Sequence, residues 1–177
     1  MDIFEAIEKR RSIRKFRHES VANGDLKRIL EAGRLAPSGS NRQPWFFIVV
    51  RDLERKKALA LAAKNQGFIA DADAVVVALG VSETERLARS STRIPHIQDT
   101  MIAVEHMVLA ATALGYGTCW IGAFNEEEVK KILNVSKSLT VVALVPVGVP
   151  DANPQPKPRK AFKEIFFKET YGVPLEL

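Results

Sequence analysis

Ala36-Pro37-Ser38-Gly39-Ser40-Asn41-Arg42-Gln43-Pro44-Trp45 is the stretch from which the rest of the chain is most readily placed. Two prolines, a glycine and several small polar residues argue against regular structure over 37–44, so this is a loop. Trp45 then opens a run of aromatic and β-branched residues to Val50 with the length of a buried strand. A loop of this composition leading straight into a buried strand presents polar groups at the end of a sheet.

Upstream, residues 2–10 place Ile3, Phe4 and Ile7 at helical spacing, and a second helix is expected after Asn23, a good N-cap, with Leu26, Ile29 and Leu30 as its stripe. Downstream, Asp52 can cap a helix running to about Gln66, and 74–80 reads as a second buried strand. Segment 81–95 is polar, with no clear period and no obvious lid helix. Residues 97–114 have a helical pattern that is apolar nearly all round, including Met101, Val104, Met107, Val108 and Leu109. Such a helix is expected to need more cover than its own domain supplies. A second copy of the chain would provide that cover, and a charge at Val104 or Val108 would test the contact. Gly115-Tyr116-Gly117 opens a short strand over 118–123, Asn125 and Glu128 resemble a capping box for a helix to Leu133, and 140–149 is the last strand. Pro150, Pro154, Pro156 and Pro158 impose an irregular path, followed by a short helix over 159–167 and a tail, 168–177. The order of elements indicates one α+β domain, 1–177, in two or three layers.

With 46% hydrophobic and 27% charged residues the composition is that of a folded globular protein. The single cysteine, Cys119, rules out an internal disulfide and suits a reducing compartment, so a cytoplasmic location is expected. In an apolar strand it reads as a small buried side chain rather than a nucleophile. No run reaches the ~18 apolar residues of a membrane span. His18, His96 and His106 lack the spacing of a zinc site, and no metal is expected. The net charge of +5 permits nucleic-acid binding, but most cations are interspersed with acids, so no nucleic-acid partner is expected.

Dinucleotide-binding proteins commonly carry Gly-x-Gly-x-x-Gly between a strand and a helix. This chain has no such match, nor a Walker motif. Arg10-Arg11-Ser12-Ile13-Arg14 instead concentrates guanidinium groups and a hydroxyl at the end of an amphipathic helix. Arginine forks match phosphate oxygens, so the segment reads either as a phosphate binder or as a solvated basic turn.

Four segments in order, Arg10-Arg11-Ser12-Ile13-Arg14-Lys15-Phe16, the 36–45 stretch, Gly115-Tyr116-Gly117-Thr118-Cys119-Trp120-Ile121-Gly122 and Lys157-Pro158-Arg159, resemble the FMN-dependent nitroreductase family over nearly the whole chain. The resemblance implies a mixed four- to five-stranded sheet flanked by helices, an interlocked homodimer with FMN at the subunit boundary, and NADH or NADPH as donor. Arg10, Arg11, Ser12 and Arg14 match the segment contacting the FMN phosphate, ribityl chain and pyrimidine edge, and Lys157 with Arg159 would complete the phosphate site. Pro37, Ser38, Gly39 and Asn41 would reach the partner's flavin ring. Gly122 and Ala123 match the turn facing the flavin N5 edge, which for Gly122 is compatible with a plain strand-end turn. Gln66, or neighbouring Asn65, would read the ring's polar edge, and tail 168–177 would pack on the partner. The implied activity is NAD(P)H-driven reduction of nitroaromatics, quinones or similar acceptors by a ping-pong cycle. Its alternatives are a specialised flavin reaction, dehalogenase-like or flavin-degrading, and a non-catalytic flavin-binding dimer.

Overall fold

The computed structural model describes residues 1–81 and 95–177, so all but the ends of the polar segment 81–95 lie outside the described residues. The helices are α1 (Ile3–Lys9), α2 (Asn23–Arg34), α3 (Leu53–Ala62), α4 (Phe68–Asp71), α5 (Pro95–Ala113) and α6 (Glu126–Leu133). The strands are β1 (Trp45–Val50), β2 (Ala74–Val81), β3 (Gly117–Thr118) and β4 (Leu139–Gly148), in the order β1-β2-β4-β3. Every pairing between these strands is antiparallel, and the parallel element is confined to an isolated bridge from Ser12 to Thr118.

β2 is buried along nearly its whole length because helices cover both faces of the sheet. Side chains alternate between the faces of a strand. Val75, Val77 and Leu79 accordingly pack with Leu59, Ile69 and Val129 from α3, α4 and α6. Val76 and Ala78 pack on the other side with Leu26, Ile29, Val104 and Val108 from α2 and α5. In β4 the alternation is broken. Ala78 pairs with Ala143 but Leu79 pairs with Val141, so Val142 is the extra residue of a bulge. The bulge puts Val141 with Leu144 on one face and Ala143 with Val145 on the other. The result is a three-layer α+β fold.

Several element ends differ from expectation for identifiable reasons. Asn23 does not cap α2. Ala22 holds that position, and Asn23 Oδ1 instead accepts from Arg51 Nη1 at 2.7 Å. α3 stops at Ala62 because Lys64 and Asn65 take φ of 57° and 58°, returning the chain so that Gln66 N–H reaches the Ala60 carbonyl at 3.0 Å. The strand expected over 118–123 shortens to β3, and Ile121 then exchanges backbone hydrogen bonds with Leu144 at 3.0 and 3.1 Å. The late helix is a single 3-10 turn, Phe162–Glu164, within an arm exposed nearly throughout over 151–177.

The largest correction concerns α5. Val104 and Val108 are each 1% exposed and belong to the chain's own core, because α2 and the sheet cover that face. The apolar residues that α5 leaves uncovered are Met101, 46% exposed, and Ile102, 40% exposed. Among the described residues no helix is long and apolar enough to cross a membrane.

Candidate functional site

After α1 the chain runs extended along the end of the sheet. Ile13 N–H donates to the Thr118 carbonyl at 2.8 Å, Arg17 N–H to Val149 at 2.9 Å, and Asp151 N–H back to Lys15 at 2.9 Å. Ile13 and Phe16 anchor the segment by burial against Ala72. Two glycines admit them. A Cβ on Gly117 would lie 2.8 Å from Ile13 Cγ1, and one on Gly148 would lie 2.9 Å from Phe16 Cδ1.

Extended backbone sorts the basic segment by parity. Arg10, Ser12 and Arg14 act on Cys119. Burial pushes that thiol up, while the Arg14 charge, a Ser12 hydrogen bond and the Arg10 charge pull it down. Cys119 itself is 2% exposed, as expected of a packing residue. Arg11 turns the other way. Its Nη1 donates to the Glu8 and Arg10 carbonyls at 2.7 and 2.8 Å, and its side chain lines a cleft with Lys9, Ile13, Arg17, Tyr116 and Asp151.

The cations also divide by partner. Lys9 pairs with Glu5 at 3.0 Å, Lys15 with Asp151 at 2.8 Å, and Arg17 with Glu19 and Asp151 at 3.7 and 3.8 Å. Among the described residues Arg10, Arg14, Lys157 and Arg159 pair with no carboxylate. A guanidinium and hydroxyl set left without acids suits an anion such as a phosphate monoester.

From Cys119 the chain passes Trp120 and Ile121 to Gly122 and Ala123, both exposed. A Cβ on Gly122 would meet no atom within 4 Å, so the space above this turn is open. Gln66 adjoins it, with Nε2 donating to the Ala63 carbonyl at 2.8 Å and the Ala123 carbonyl at 3.5 Å. Asn65 is exposed beside it. Trp120 Nε1 donates to Glu105 Oε2 of α5 at 3.1 Å.

The 37–44 loop is conformationally costly. Ser40, Asn41 and Gln43 take φ of 52°, 55° and 51°, a region that non-glycine residues seldom occupy. Ser38 Oγ accepts from Gln43 N–H at 2.9 Å, and Gly39 N–H donates to Asp99 Oδ2 at 3.2 Å. Trp45, with Ala36 and Ala103, roots the loop in the core. Within one chain, then, Arg10, Ser12 and Arg14 bear on Cys119 and Gln66 bonds to Ala123, so these residues gather along the 118–123 segment with Gly122. Among the described residues no hydrogen bond or ion pair joins them to Pro37, Ser38, Gly39 or Asn41, or to Lys157 and Arg159 on the arm. No local sequence pattern marks Asp99 or Glu105 as site residues. Their partners lie 60 and 15 positions away, beyond any local pattern.

The nitroreductase family model matches residues 7–92 and 64–149. A curated protein of Archaeoglobus fulgidus, provisionally named NADH dehydrogenase/NAD(P)H nitroreductase, is 33% identical over 145 residues, which cover 80% of this chain and 81% of that one. A Bacillus subtilis protein named as an FMN reductase working with NAD(P)H is 28% identical over 185 residues, covering 96% of this chain and 74% of its own. The crystal structure of a nitroreductase family protein from Clostridium novyi NT is 36% identical, with a TM-score of 0.81 over 98% of this chain and 97% of that one.

Proposed function

Because the chain belongs to the nitroreductase family, we propose that it is an FMN-dependent NAD(P)H oxidoreductase working as a homodimer on small electron-poor acceptors. The observation that carries this reading is that Arg10 and Arg14, free of carboxylate partners among the described residues, and Ser12 all bear on Cys119, three residues before the open Gly122 turn. These residues fit FMN by the chemistry of their donors. Arg10, with Lys157 and Arg159 of the arm, would hold the phosphate. Ser12 would take the ribityl chain, Arg14 the pyrimidine edge and Gln66 the ring's polar edge. Arg11, turned to the other side, adds positive charge from a distance. The backbone at Gly122 and Ala123 would face the N5 edge, where a missing side chain leaves room for a planar molecule. Pro37, Ser38, Gly39 and Asn41 would come from the partner, whose surface tail 168–177 would also cover, so that the whole of 1–177 serves as one unit.

When bound, FMN supplies hydride acceptance and donation, so no protein general acid is obligatory. The residues bind, orient and exclude. Arg14, at the pyrimidine edge assigned to it, would favour a negatively charged form of the bound group. The space above Gly122 receives one planar molecule at a time, so NADH or NADPH must leave before a nitroaromatic or quinone enters. Ping-pong kinetics follow, with parallel double-reciprocal plots.

Anaerobic titration of the purified protein with NADH and NADPH tests the reading. A yellow protein should bleach with at least one donor and recolour on adding an acceptor. A yellow protein that neither donor bleaches would reduce the function to flavin binding, and a colourless protein that takes up no added FMN would overturn it.

A further inference from the structure

We propose that Asp99 and Glu105, two carboxylates of α5, are positioning residues that set the two backbone segments flanking the flavin, a role that rests on the flavin reading above. The loop needs an outside support. With Ser40, Asn41 and Gln43 at positive φ, its conformation is one that the chain would abandon if left alone. The bonds from Gln43 to Ser38 and Asn41 are internal to it. The far end of the loop is tied to the sheet, where Trp45 N–H donates to the Gln43 carbonyl and Val81 N–H to the Pro44 carbonyl, each at 2.9 Å, whereas the tip is tied to α5 by Gly39 N–H donating to Asp99 Oδ2 at 3.2 Å. A carboxylate acceptor makes this bond stronger than a neutral one.

Glu105 does the same for the other segment. Its Oε2 accepts the Trp120 indole N–H at 3.1 Å, two residues before Gly122. Ile121, between them, is already fixed by its paired bonds to Leu144. The indole is therefore the side anchor that sets how the chain enters the 122–123 turn. Both carboxylates stand on a helix whose inner residues Val104, Met107 and Val108 are locked in the core, so both segments are referred to one rigid strut. In the homodimer Asp99 then acts on the partner's flavin and Glu105 on its own chain's flavin.

The experiment uses the full-length holoprotein and the variants Asp99→Ala, Asp99→Asn, Glu105→Leu, Glu105→Gln and Trp120→Phe. FMN dissociation constants are read by fluorescence. Hydrogen exchange of 37–45 and 118–124 is read by mass spectrometry on the same proteins kept saturated with FMN. Asp99→Ala and Glu105→Leu should each weaken FMN about three- to tenfold, less than a direct charge-assisted bond to the flavin would contribute, because each carboxylate acts only through the segment it holds. Exchange should quicken over 37–45 alone in the first and over 118–124 alone in the second. Trp120→Phe should match Glu105→Leu. Asp99→Asn and Glu105→Gln keep an oxygen acceptor and should stay close to wild type. Normal FMN binding by both Asp99→Ala and Glu105→Leu would overturn this role alone, as would faster exchange spread over the whole chain. A wild-type chain that binds no FMN would overturn the flavin reading and this role with it.

Discussion

Arg10 and Lys27 carry the same charge in opposite surroundings. Arg10 is half-buried at the sheet end with no carboxylate partner, whereas Lys27 is exposed on α2 beside Glu31. Replacing Arg10 by Ala should therefore weaken FMN retention about tenfold or more, since a charge-assisted hydrogen bond contributes about 1.5–3 kcal/mol. Lys27→Ala should leave retention unchanged. Flavin-to-protein absorbance ratios after dialysis check both, and equal retention would move the phosphate elsewhere. At this scale the sequence was legible where a role depends on residue type, as for the concentration of guanidinium groups over 10–14. It was not legible where a role depends on backbone shape. Arg11 looks equivalent to Arg10 until the segment is known to be extended, and only then does alternation send it to the opposite side. Asp99 gives no local signal at all, because Gly39 reaches it only after the sheet and α5 have assembled.

Between elements, Glu126 joins the start of α6 to β4. Its Oε1 accepts from Val141 N–H at 3.1 Å and from Lys130 Nζ at 2.8 Å. Burial works against the carboxylate charge, but these bonds and the Lys130 charge outweigh it and hold the pKa below the usual glutamate value. A folded pKa below the unfolded one stabilises the fold above about pH 4.3, the usual glutamate value, and this gain is lost as pH falls through the folded value. Glu126→Gln should cost about 0.5–1 kcal/mol at pH 7, a modest figure because the side chain is partly solvated, and close to nothing in acid below the folded pKa. Urea unfolding at the two pH values measures it, and a gap that persisted in acid would mean packing rather than charge. The helices and strands themselves were mostly legible, because their apolar periods are long. Their ends were not. α2 begins one residue after Ala22 under the pull of Arg51 on Asn23, and α3 stops early at a left-handed pair, and both are tertiary effects without a sequence period.

For the whole molecule, the proposed homodimer must cover the apolar groups that a single chain leaves in water. These include Ile3, Phe4 and Ile7 on α1, Met101 and Ile102 on α5, and Phe162, Ile165, Phe166 and Tyr171 on the arm. An interface gathering them would fall in the large class above roughly 2,000 Å² that seldom separates into folded monomers. Light scattering at low micromolar concentration should give two chains per particle. Ile102→Glu should lower that number and release flavin, whereas Val104→Ala should lower the melting temperature without changing it. A flavin-saturated, active monomer would refute the interface. The sequence of α5 could not say that Met101 and Ile102, rather than Val104 and Val108, would be left uncovered in the single chain, since both faces of the helix are apolar and only assembly decides which one the chain keeps. The strand order β1-β2-β4-β3 has a consequence during synthesis. β2 is an apolar strand whose central position requires β4, and β4 arrives many residues later. At about 5–20 residues per second, a nascent chain carries β2 with one edge unpaired for several seconds. Over that interval Ala-Val-Val-Val-Ala-Leu, from Ala74, is a sticky strand template, and a chaperone holding it until β4 arrives would determine how much of the protein escapes aggregation.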